Sequence, residues 1–205
     1  VNGGVPGYVV SSSLKNLKHR VAPLQPDVIV IYHATNDLSV ELRELAAAKG
    51  VTRSPQLEPP SWLANQFLLW NLAEKNLRVW VAQRKAEANV GRLEIDAPSL
   101  GERFRRDLTE LVRAAQTHAR LVAVATFSTQ LRADATPEEQ LRASASALYY
   151  MPFMKPSGLL ASYARYNQII REVAASTGAI LVDHEDDIPG DPRHFADTVH
   201  FTDAG

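Results

Sequence analysis

The sequence predicts an α/β domain of three-layer α/β/α type, a parallel sheet with helices packed on both faces. Two observations carry this. Short, continuous β-branched or apolar runs recur at residues 27–32 (D-V-I-V-I-Y) and 121–127 (L-V-A-V-A-T-F) and suit strands buried on both faces, and residues 179–182 read as a third strand. Between them lie stretches whose apolar residues return at helical spacing, so strand and helix alternate. A chain of 205 residues, 45% hydrophobic, can bury a core without staples, and a single domain over residues 1–205 is the expectation.

Taken in order, Val1 and Asn2 read as the tail of a strand, followed by a turn at Gly3-Gly4-Val5-Pro6-Gly7. Val10, Leu14, Leu17 and Val21 share a helical face that Pro23 and Pro26 close. The strand at 27–32 leads into a polar loop, His33-Ala34-Thr35-Asn36-Asp37, and residues 38–49 read as a helix. Residues 50–60 form a loop with three prolines. Over 62–83, Leu63, Phe67, Trp70, Leu77 and Trp80 share a face, which suits a helix packed on its own domain, a lid, or an interfacial membrane helix. That stretch is too polar to span a bilayer.

Ser99 and Glu102 have the spacing of a capping box, ahead of a face made by Phe104, Leu108, Leu111, Val112 and Ala115. Residues 128–157 read as a long irregular stretch, whose Tyr149–Met154 cluster suits either a substrate pocket or the core. Leu160, Tyr163, Asn167, Ile170, Val173 and Ala174 form a further helical face that ends at Gly178. The strand at 179–182 then opens into an acidic loop and the final D-T-V-H-F-T-D-A-G.

Composition narrows the chemistry. A net charge of −1 without a concentrated basic patch removes the electrostatic case for nucleic acid. The absence of cysteine excludes disulfides and thiolate metal sites. His184, Glu185, Asp186, Asp187 and His194 match no metal-ligand spacing and read as an acidic surface loop, so no metal or cofactor is expected. The chain opens without Met and reads as an excised piece, cut at both ends.

In a parallel sheet, sites collect at the carboxyl ends of strands. Three polar clusters stand there: residues 3–7, residues 33–37, and the loop to Asp197 and His200. A histidine three residues after an aspartate is the base-and-orienter half of a catalytic triad. Each member also has an ordinary reading. Gly7 suits a simple turn, Asn36 and Asp37 suit helix N-caps, and His33 suits a structural role. Ser11, Ser12 and Ser13 read as residues of a helix running away from the strand ends.

The order of these motifs resembles the SGNH hydrolases, the GDSL-type lipase and esterase superfamily. Asn2 and Gly7 match its second block, Ala34-Thr35-Asn36-Asp37 its G-x-N-D block, and Asp197 and His200 its terminal D-x-x-H block. The resemblance covers nearly the whole chain, with residues about 50–100 and 128–158 as inserts. It implies a flavodoxin-like fold whose N-terminal strand, with the G-D-S serine, lies before Val1. Alanine stands at position 34 where the motif has glycine, which narrows the backbone geometry that presents Asn36.

The resemblance implies hydrolysis of carboxylic esters through an acyl-enzyme. His200 is the implied base and Asp197 its orienter; Gly7 and Asn36 are the oxyanion donors, and Asp37 braces the loop. Implied substrates are small-molecule, lipid or carbohydrate esters. Peripheral membrane contact is compatible with the 62–83 stretch, and secretion or a periplasmic location accords with the family. The fragment by itself is expected to be inactive for want of the serine. Two alternatives stay open: an acyltransferase with a sugar or lipid acceptor, and a non-catalytic binding module of the same fold.

Overall fold

The apolar runs form three strands, β1 (Val28–Ile31), β2 (Leu121–Ala125) and β3 (Ile180–Val182). They pair in parallel in the order β1-β2-β3, with Val28 opposite Leu121 and Ala123 opposite Ile180. This is a computed structural model, in which residues 1–51, 61–62, 66–67, 70–71, 74, 77 and 93–205 are described. Among these residues six α-helices flank the sheet. They are α1 (Val10–Asn16), α2 (Thr35–Ala48), α3 (Glu102–Gln116), α4 (Pro137–Ala143), α5 (Ala145–Tyr150) and α6 (Pro156–Thr177). The protein is an α/β domain, the class its sequence predicts.

The core lies between the sheet and helices α2, α3 and α6. Ile31, Val122 and Val124 on the sheet meet Leu38, Leu42, Phe104, Leu108, Val112, Ile169 and Ile170, all buried. Each such side chain contributes about 1.5–3 kcal/mol by leaving water. The α3 spacing Phe104, Leu108, Leu111, Val112, Ala115 supplies one continuous apolar stripe. Tyr166 of α6 stacks on Phe104, with ring centres 4.4 Å apart. Its hydroxyl donates to Glu41 Oε2 at 2.6 Å, and Glu41 also accepts the Gly101 N–H at 3.0 Å. One carboxylate therefore ties α2 to α6 and to the start of α3.

Several local expectations are corrected. Val1 and Asn2 lie outside the strands; Asn2 Oδ1 accepts the Gly4 N–H at 2.9 Å and turns the chain instead. The α1 helix does not run evenly to Val21. It passes into a π segment at Leu17–Val21 and a 3-10 turn at Ala22–Leu24, since Pro23 cannot supply an α-helical N–H. β1 is not buried on both faces. Among the described residues it is one of the two edge strands, and Val28 and Val30 are 50% and 66% exposed on the face opposite Ile29 and Ile31. α2 starts at Thr35 rather than 38, with Asn36 and Asp37 inside its first turn. They are therefore not N-caps.

Just past β2, Asn167 Oδ1 accepts the Phe127 N–H at 2.7 Å and its Nδ2 donates to the Phe127 carbonyl at 2.9 Å, where a strand partner would otherwise pair. Ser99 does not cap α3. Its hydroxyl donates to the Asp96 carbonyl at 2.7 Å, and Gly101 is the cap residue at φ 90°. A Cβ at Gly101 would collide with Ile169 Cδ1, so close helix packing as well as φ calls for glycine there. The capping box is at Thr136 and Glu139 instead, at the head of α4. Residues 128–157 thus hold two helices and are not irregular throughout.

The 62–83 stretch falls partly outside the described residues, as do its Leu63 and Trp80 and most of the 50–60 loop. Trp62, Phe67, Trp70 and Leu77 are described and exposed, so packing on the domain is not seen at these positions. No helix among the described residues is long and apolar enough to cross a membrane.

Candidate active site

Two clusters form at the carboxyl ends of the strands. The first joins the loop before α1 to the first turn of α2. Gly7 sits at φ 80° in a turn closed by the Tyr8 N–H on the Val5 carbonyl at 3.2 Å. A Cβ there would meet nothing within 4 Å, so the constraint is on the backbone and the space beside it is open. Asn36 Nδ2 donates to the Tyr8 carbonyl at 3.0 Å, which uses one of its two amide hydrogens. Both Asp37 oxygens accept the Val10 N–H, at 3.1 and 3.2 Å, and fasten the head of α1. Ala34, the buried residue just before α2, lies at φ −167° and ψ −56°.

The second cluster is the turn Asp197–His200. Asp197 Oδ1 accepts the N–H groups of Val199 and His200, each at 2.9 Å. Its Oδ2 meets His200 Nδ1 at 2.8 Å. The carboxylate favours the proton on Nδ1 and leaves the Nε2 lone pair outward, on a side chain that is 77% exposed. Burial pushes the Asp197 carboxyl up, but these backbone and ring hydrogen bonds outweigh it and hold the group below its ordinary value.

Thr198, 1% exposed, anchors that turn. Its hydroxyl donates to the Ala143 carbonyl at 2.7 Å and accepts from Ser146 Oγ at 2.8 Å. Its N–H donates to Ser146 Oγ at 3.1 Å, and its carbonyl accepts the Gln130 N–H at 2.8 Å. The turn is therefore seated on α4 and α5, within the stretch expected to be an insert.

Tyr163 of α6 stands behind the first cluster, its ring 5.8 Å from that of Phe127. Its hydroxyl pairs with Thr35 Oγ1 at 2.9 Å, next to Asn36. Burial, with the nearby Asp197 charge adding to it, raises the phenol to about 12. Tyr32 stacks on Phe127 at 4.8 Å and stands 6.3 Å from Phe201, beside His200. No hydrogen bond joins His200 directly to Gly7 or Asn36 among the described residues.

Two pairings escaped the sequence. Asp191 and His194 repeat the D-x-x-H turn, with Nδ1 to Oδ1 at 2.8 Å and Asp191 accepting the Arg193 N–H at 2.9 Å. The spacing was visible in D-P-R-H, inside the loop read as merely acidic. Ser13 Oγ meets His33 Nε2 at 2.9 Å, and nothing local in sequence marks that contact. A cavity of about 1080 Å³ lies beside β1, walled by Ser13, His33, Leu17 and Val30 among others, and Gly7, Asn36, Asp197 and His200 stand outside it. Among the described residues no group of three or more His, Asp or Glu is placed to hold a metal ion.

The model of the GDSL-like Lipase/Acylhydrolase family matches the chain over residues 1–205. No curated protein matches it.

Proposed function

The chain belongs to the GDSL-like lipase/acylhydrolase family and is a hydrolase of that family, and from that premise we propose that it hydrolyses carboxylic esters through an acyl-enzyme, with His200 as base. The observation that carries this reading is the Asp197–His200 turn, with Nδ1 engaged at 2.8 Å and Nε2 turned outward.

In the proposed reaction a serine of the family's first block, outside residues 1–205, attacks the ester carbonyl. His200 Nε2 accepts the serine proton as the C–O bond forms, and Asp197 stabilises the imidazolium. The carbonyl oxygen gains negative charge and is received by the Gly7 N–H and the second amide hydrogen of Asn36. His200 returns the proton to the leaving alkoxide, the alcohol departs, and water repeats the sequence on the acyl-enzyme to release the acid. The Asn36 hydrogen bond to Tyr8 fixes its amide in advance, so little reorganisation is left for the transition state. Asp37, by holding the head of α1, braces the loop that presents Gly7.

The test is pre-steady-state kinetics of the natural full-length chain with a p-nitrophenyl ester in excess. Expected is a burst of one nitrophenol per chain and, by mass spectrometry, an acyl adduct on the first-block serine. Asn36→Ala is expected to lower kcat by about 10²–10³-fold with KM little changed. Turnover without an acyl adduct, or a kcat indifferent to Asn36, contradicts the reading.

A further inference from the structure

We propose that Tyr163 is a positioning residue for the ester-hydrolysing site: its buried hydroxyl, bonded to Thr35, sets the orientation in which Asn36 meets the oxyanion. The inference rests on the reading of Asn36 as an oxyanion donor, and it names what holds that donor in place.

The first turn of α2 has no side-chain cap, since Ala34 stands before it. Three successive side chains of the turn are tied to other parts of the chain instead. Thr35 Oγ1 pairs with the Tyr163 hydroxyl of α6 at 2.9 Å. Asn36 Nδ2 donates to the Tyr8 carbonyl at 3.0 Å, and Asp37 accepts the Val10 N–H at the head of α1. The last two ties lead to one neighbouring segment, residues 8–10, and would let it and the turn shift together. The Thr35–Tyr163 pair refers the turn to the core helix. Asn36 moves with the backbone that carries it, so a fix at the adjacent residue bears directly on where its second amide hydrogen points.

Tyr163 is a firm anchor. It is 4% exposed, and its ring lies within 9° of parallel to Phe127. On the same helix Tyr166 stacks on Phe104, and Asn167 holds both backbone groups of Phe127. Burial raises the phenol to about 12, so the hydroxyl stays protonated through the neutral range. A donor aimed in advance depends on such support, because a misplacement of about 1 Å costs on the order of 10²-fold in rate. A second hydroxyl joins α6 to α2, Tyr166 on Glu41 at 2.6 Å, about 9 Å further along α2 by the helical rise. That bond holds the two helices together at a distance from Asn36, and it supplies the comparison.

The experiment is steady-state turnover of a p-nitrophenyl ester by the natural full-length chain and its variants. Tyr163→Phe keeps the ring and removes only the hydroxyl; it is expected to lower kcat about tenfold with KM within about twofold. Thr35→Val removes the same bond from the other partner and is expected to match it, so the link stays testable in whichever variant folds. Thr35→Ser restores the hydroxyl and is expected to keep kcat within about threefold of the parent. Tyr166→Phe is expected to lower the melting temperature and leave kcat within about twofold. In an Asn36→Ala background, Tyr163→Phe is expected to change kcat by less than about twofold, because its effect runs through the missing amide. Asn36-dependent turnover that ignores Tyr163 and Thr35, or a full tenfold loss from Tyr163→Phe in the Asn36→Ala background, overturns this link alone. A kcat indifferent to Asn36 overturns the oxyanion reading and the link with it.

Discussion

At the scale of single residues, Asp197 keeps its charge through directed hydrogen bonds. Burial opposes ionisation, and two backbone N–H groups with the His200 ring outweigh it. The sign of the pH effect follows. A carboxyl depressed in the folded state contributes stability above its unfolded value, here near 3.8, and loses it as pH falls through the lower folded value. Asp197→Asn is therefore expected to destabilise the protein at pH 7 and to be nearly neutral once both proteins are well below pH 3.8, a difference that urea melts at the two pH values would show. The pair itself was legible, because D-x-x-H is a local turn whose hydrogen bonds lie within four residues. The same locality makes D-P-R-H fold alike at Asp191–His194, which sequence could not rank against it. Ser13 and His33 were illegible for the opposite reason, since their contact needs α1 laid against the exit of β1.

At the scale of elements, the α3 stripe and the β2 run were legible because burial imposes their periods. Helix starts were less so. The head of α3 is set by Glu41 on the Gly101 N–H, a partner from a distant element, and no nearby side chain caps it. Gly101→Ala is expected to cost more than about 1 kcal/mol in denaturant unfolding, from both left-handed φ and the collision with Ile169. Helices α4 and α5 were hidden by their brevity, and with them the support for the D-x-x-H turn. Thr198→Val removes a hydroxyl that bonds to Ala143 and Ser146 within that support. It is expected to lower stability by about 1–3 kcal/mol, measured by thermal melts, and to lower kcat in the same variant.

At the scale of the whole molecule, the class was legible and the shape of the site was not. Alternating runs and helical faces required an α/β domain with its polar clusters at one end. How the clusters are set depends on the sheet order and on α6, whose Tyr163 pairs with Thr35 beside Asn36. The central claim is that His200, and not its twin His194, is the base of one ester-hydrolysing site. Its most direct test is steady-state turnover of a short-chain p-nitrophenyl ester by the natural full-length chain and two variants. His200→Ala is predicted to lower kcat by about 10⁴-fold or more, while His194→Ala stays within about threefold of the parent. Turnover unchanged in His200→Ala, or abolished by His194→Ala alone, would contradict the account.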